Sequence, residues 1–230
     1  MKTLKYGLLV VLLTLISSCQ PPVVFSEPQP VDEPKLVAIP KAYQGIYWCE
    51  TDSISLIIEE QVIATQKKFE SQLTLEEVKA NPNLSFENAT LHSKELNKSF
   101  PAKLKGEIIT SEITITDTLY ASSTQNVLKL YKGHLILNSP IEQDAWRVTI
   151  ISLKRADALS ITKAALPENL DAIERITPVS RVKDPESDHI IQIQISPSQA
   201  EFNQILSQGL LFDGSCVDFD RIYPISIMPL

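Results

Sequence analysis

The chain has 230 residues, with 28 acidic side chains against 21 Lys and Arg and a formal charge of −7. That sign argues against binding to nucleic acid and against electrostatic adhesion to anionic headgroups. The length suits one domain or two small ones, enough to bury a self-sufficient core. The six glycines are scattered, which excludes a glycine-rich phosphate loop.

Lys2 and Lys5 form a basic start, followed by a ten-residue apolar run, Gly7 to Ile16. The run is too short to span a bilayer, which takes ~20 residues, and has the length and flank of a signal h-region. It closes on Ile16-Ser17-Ser18-Cys19. Small residues before a cysteine at the end of such a run resemble the lipobox of bacterial type II signal peptides. Ile16 stands where that family prefers Leu. The resemblance covers residues 1–19 and implies a signal peptide over 1–18, removed before Cys19. It also implies acylation of the Cys19 thiol with diacylglycerol, and usually of the new amino group. The implied location is the bacterial cell envelope, with a lipid anchor as the membrane partner. Two or three acyl chains hold firmly where one is marginal, at ~0.8 kcal/mol per buried CH2. Gln20 follows the cysteine where enterobacterial inner-membrane lipoproteins carry Asp, which points to the outer membrane; the leaflet stays open. Removing residues 1–18 takes two lysines and no acids, leaving 19 bases against 28 acids and a charge of −9.

Six of the 21 residues from Gln20 to Pro40 are proline. Proline fixes φ and removes donors, so the composition predicts no helix or central strand here. Residues 19–40 read as the lipidated cysteine and a semi-rigid tether, with a reach of up to ~60 Å at ~3.1 Å per residue; the alternative is that part of it, Leu36 to Ile39, packs on the domain. Residues 41–230 read as one β-rich globular domain, with a subdivision near 156–166.

Beyond Lys41 short apolar runs follow a period of two. Strands are expected at Gly45 to Glu50, Ser53 to Glu59 and Val62 to Phe69. Thr74-Leu75-Glu76-Glu77 fits a capping box, and the helix it opens should stop at Asn81-Pro82. Short strands are expected near Ala89 to His92 and Ala102 to Ile108. Ile113, Ile115 and Leu119 alternate with Thr114, Thr116, Thr118 and Tyr120, the pattern of a half-buried strand. Val127 to Tyr131 and His134 to Asn138 flank Lys132-Gly133, a two-residue hairpin turn. Trp146 to Lys154 and Ala158 to Ala164 follow. Pro167 to Ile173 reads as a helical turn, Ile190 to Ile195 as a strand, and Ser196-Pro197-Ser198-Gln199 as a second capping box opening a helix that Gly209 ends. Val217 to Tyr223 is the last strand. The fold class is mainly β, an antiparallel meander curling into a barrel or two-layer sandwich, with two or three short helices. Gly45-Ile46-Tyr47-Trp48 resembles the G-x-W of lipocalins, one residue off, which on a strand turns the ring to the other face.

No catalytic residue, metal site or cofactor is assigned. His92, His134 and His189 lack ligand spacing. Asp213, Asp218 and Asp220 gather near Gly214 without the EF-hand pattern, and read as a solvated turn. Glu59 and Glu60 point to opposite strand faces, and Glu76 and Glu77 suit a helix start. There is no G-x-S-x-G, and Cys49 and Cys216 have no basic neighbour to activate a thiolate. In an oxidising envelope those two cysteines are a candidate disulfide, with two free buried thiols as the alternative. Asp52-Ser53-Ile54 and Asp117-Thr118-Leu119 resemble the D-[ST]-aliphatic sites that Bacteroidota species O-glycosylate, which marks Ser53 and Thr118. The plan as a whole resembles the envelope lipoproteins of Bacteroidota, which implies tethering and no activity. The function expected is a membrane-tethered binding or structural module whose partner is a protein or an apolar ligand. The alternatives are an envelope hydrolase with a site assembled from distant loops, and an assembly factor or inhibitor using a sheet edge, with Ile190 to Ile195 as the candidate edge.

Overall fold

The computed structural model describes residues 22–184, 186–187, 189–212 and 216–223. Fifteen strands and three helices lie among them, so the chain is mainly β, as its period-two runs predict. No helix among the described residues is long and apolar enough to cross a membrane. The chain forms two compact units: Met1–Pro34, Ile136–Ile150 and Thr162–Cys216 in the first; Lys35–Leu135, Ile151–Ile161 and Val217–Leu230 in the second. The units interleave along the chain, with one of the crossings between Ile161 and Thr162.

The first unit is built around the segment expected to be a tether. β1 (Val23–Phe25) is buried throughout. It pairs in parallel with β14 (Ile190–Ile195), Val23 opposite Ile193 and Phe25 opposite Ile195. On its other side Phe25 faces Trp146 of β11 (Ala145–Arg155). β13 (Val179–Lys183) covers the far side of β14 in antiparallel register. The expectation of a solvated spacer over 19–40 is therefore corrected. Prolines flank the triplet Val23-Val24-Phe25 without entering it, so it keeps every donor a strand needs. Further on, Gln29 donates its N–H to Asn138 Oδ1 at 2.7 Å, and Asn138 Nδ2 donates back to the Gln29 carbonyl at 2.9 Å. One buried amide side chain thus satisfies both backbone groups of Gln29.

Helix α3 (Gln199–Gln208) closes this unit. Its capping box is Ser198 with Glu201, two residues beyond the expected box, and Pro197 precedes the cap. Glu201 supplies the carboxylate that reaches back to the cap N–H, 2.7 Å away, which Gln199 would do without charge. Gly209 ends the helix at φ 66°, in the left-handed region that glycine enters without a Cβ penalty. Phe202 and Ile205 face inward, and Phe25 meets Phe202 edge-to-face at 6.2 Å. The short helix α2 (Leu170–Glu174) starts at an Asn169 cap. It lies later than the turn expected from Pro167, because Asn169 accepts from the Asp171 N–H and proline has no such side chain.

The second unit is an antiparallel meander. β2 (Gly45–Cys49), β3 (Ile54–Ile58) and β4 (Val62–Thr74) pair in sequence, and β15 (Cys216–Tyr223) pairs with β2. β8 (Ile108–Ala121) runs beside β4 from Val62↔Ala121 to Thr74↔Ile108. β7 (Lys98–Lys105), β6 (Thr90–Ser93) and β5 (Leu84–Glu87) extend the ladder beyond it. The ladder stays open at β5, so the barrel alternative is not realised and the lipocalin likeness of Gly45 to Trp48 ends there; Trp48 is 37% exposed. β9 (Val127–Tyr131) and β10 (His134–Glu142) are joined at Lys132 and Gly133, with φ 48° and 77°, the two positive values of a type I′ hairpin. β12 (Ala158–Lys163) completes the strands. Tyr47 is fully buried. Its hydroxyl donates to the Tyr43 carbonyl at 2.7 Å, and the Arg221 guanidinium lies 4.9 Å over its ring. Burial pushes the Tyr47 phenol up, and the Arg221 hydrogen bond opposes it.

The far end of β4 and β8 carries a small core of its own. Val78 from α1 (Leu75–Ala80), Leu91, Ala102 and Ile109 are buried together, with Leu73, Leu75, Leu84 and Phe86 against them. α1 opens on the expected capping box. Thr74 accepts from the Glu77 N–H, and Glu77 accepts from the Thr74 N–H at 2.7 Å. Those bonds hold the Glu77 carboxyl below its ordinary range.

Candidate binding groove

β7 changes partner in mid-strand. Its first half pairs with β6, up to Pro101 opposite Thr90, and its second half with β8, from Ala102 opposite Ser111. Pro101 has no N–H to give a ladder, so it marks the point where β7 leaves β8. Ser111 Oγ donates to the Pro101 carbonyl at 2.9 Å and fixes the fork. Beyond the fork an open groove of about 1040 Å³ lies between the strands. Lys98, Phe100 and Lys103 stand on the β7 wall; Glu70, Glu112 and Thr114 stand on the β4 and β8 wall.

From Glu112 to Thr118, β8 is paired with β4 alone among the described residues. β3 covers β4 only as far as Lys67. Around Lys68–Glu70 and Glu112–Thr114 the sheet therefore narrows to two strands. Glu70 and Glu112 face each other in this waist, an arrangement that repels. Gln72 Nε2 donates to Glu70 at 2.8 Å, and Glu112 makes no ion pair.

The residues singled out from sequence do not converge. Cys19, Asp213 and Gly214 lie outside the described residues. Asp218 and Asp220 bind Lys154 at 2.7 Å and Arg155 at 2.8 Å in exposed ion pairs. No group of three or more His, Cys, Asp or Glu able to hold a metal exists among the described residues. His92 Nδ1 meets Ser99 Oγ at 2.7 Å, and His134 Nδ1 meets Ser152 Oγ at 2.6 Å. A serine–histidine pair resembles half of a nucleophilic site, but neither imidazole is bonded to a carboxylate that would orient it. Burial holds His134 below the ordinary imidazole range. His189 is exposed in the first unit.

Cys49 is buried with a free thiol. The Cys216 side chain lies outside the described residues. β2 and β15 do lie side by side, as the bridge required, with Trp48 opposite Asp220. Ser53 is exposed in a turn at φ 52°, and Thr118 is exposed on β8. Ile190–Ile195 is no edge: β13 and β1 flank it on both sides. A free edge lies instead along β8 from Glu112 to Thr118, among the described residues. Its alternation was legible in sequence, but the departure of β7 was not; Pro101 inside a strand was the available signal. In comparisons with protein-family models, curated proteins and solved structures, nothing matches this chain.

Proposed function

We propose that this chain is a lipid-anchored envelope protein that binds a partner and catalyses nothing itself. The supporting observation is the groove of about 1040 Å³ along β8, walled by strands, with lysines on one side and carboxylates on the other. The lipobox at Ile16 to Cys19 supports the anchor.

Burial of β1 changes what the anchor does. Only Gln20, Pro21 and Pro22 separate Cys19 from the first buried residue, Val23. Four residue steps reach at most about 14 Å, so the first unit is held close to the lipid rather than at the end of a long spacer. Fractionation of cells tests the anchor: Cys19→Ser should leave the membrane pellet for the soluble fraction, with loss of the diacylglyceryl mass. Retention of Cys19→Ser in the pellet after a carbonate wash would overturn it. A broad hydrolase screen on the purified chain tests the second half of the proposal, and turnover abolished by Ser99→Ala or Ser152→Ala would replace binding with catalysis.

A further inference from the structure

We infer that the free edge of β8 from Glu112 to Thr118 takes a strand from a cationic, extended polypeptide, laid into the groove that β7 opens. This rests on the binding function proposed above and names its partner's chemistry.

The edge is seven residues long, without proline, and lacks a ladder partner on one side. Unpaired N–H and C=O groups along such a run are a template for another strand. The groove supplies room beside its Glu112–Thr114 end, because β7 departs at Pro101 instead of closing the ladder. The two charges on this edge are both acidic, Glu112 and Asp117; both are exposed and neither forms an ion pair among the described residues. Acidic side chains on an edge keep off a second copy of a chain that is itself at −7. The same charges admit a basic strand. Glu112 and Asp117 stand five positions apart on opposite faces, so the matching strand carries its two bases five residues apart. Lys98 and Lys103, on the far wall, carry the opposite sign, and the partner's carboxylates fall on that side.

The probe is a set of seven-residue peptides of alternating Thr and Val, with two lysines five positions apart. Three controls have glutamates in place of the lysines, the lysines at a different spacing, or alternate backbone amides N-methylated. Titration by fluorescence anisotropy against the full chain should show the lysine peptide binding and the N-methylated peptide not binding. Amide exchange should slow within Glu112–Thr118. Glu112→Lys sits on an exposed side chain and should weaken the lysine peptide roughly two- to fivefold, the size of one exposed ion pair. It should also improve the glutamate peptide. Equal binding of the N-methylated peptide, protection confined to another strand, or no saturation below about 1 mM would overturn the inference. A monomer–dimer equilibrium abolished by Thr116→Pro would overturn it in favour of a second copy. None of these outcomes bears on the fractionation of Cys19→Ser, so failure here is distinguishable from failure of the anchored reading.

Discussion

The small core at the end of β4 and β8 and the core of the first unit solve the same problem by opposite means. The distal core is made largely from neighbours: α1, β5, β6 and β7 follow one another between Leu75 and Lys105, and the pairing of Leu73 with Ile109 closes it. The first unit instead joins Val23 to Ile193, 170 residues apart, and seals the joint with Phe25 against Phe202. Local contacts cost little loop entropy and form fast; distant ones cost more and form late. The distal core has four buried residues at its centre, and it is expected to be the less stable of the two. One core thus takes in the proline-rich start of the chain, while the other is built from regular β hairpins.

The largest test is Phe25→Ala. Phe25 is fully buried, and truncating a buried phenylalanine costs about 3–5 kcal/mol. Urea denaturation should lose that amount, and amide exchange should accelerate across β1, β14 and α3. Acceleration confined to β1 would mean that the segment is an appendage and would break the comparison. Leu91→Ala in the distal core should cost about 2–3 kcal/mol. Its amides in β5, β6 and β7 should exchange faster while those of β14 stay unchanged; a uniform increase would show that the two cores unfold as one. Ser198→Ala removes the α3 cap and should cost about 1 kcal/mol, read as a lower urea midpoint at constant slope.

The smallest effect is a pH dependence. His134 is held below its ordinary value by burial, so the unfolded chain takes up a proton before the folded one does. Stability is fully present above about 6.5, the unfolded value, and falls as pH drops through that value toward the folded one. His134→Asn should flatten the urea midpoint between pH 7 and 5. An unchanged slope would assign the pH dependence to other groups.

What was legible in the sequence was what depends on neighbours. Lys132-Gly133 named a hairpin turn and Thr74 to Glu77 a capping box, because the groups that satisfy each other stand within four residues. The alternation at Ile113 to Tyr120 named a strand for the same reason. What was not legible depends on residues far away. The triplet Val23 to Phe25 is unremarkable beside six prolines until β14 arrives to pair with it. Val179–Lys183 has little apolar signal of its own, since it is mostly exposed. The groove required knowing that β7 forks, and a single Pro101 carries that only when its strand has been placed between two others.

The parallel pairing of β1 with β14 also sets a timetable. A chain made from its N-terminus at about 5–20 residues per second completes Val23 to Phe25 roughly 10–30 s before Ile195 exists to receive it. Through most of that interval the triplet lacks its parallel partner, although β11, where Phe25 faces Trp146, is made earlier than β14. The joint between Val23–Phe25 and Ile190–Ile195 is therefore one that can close only after most of the chain exists.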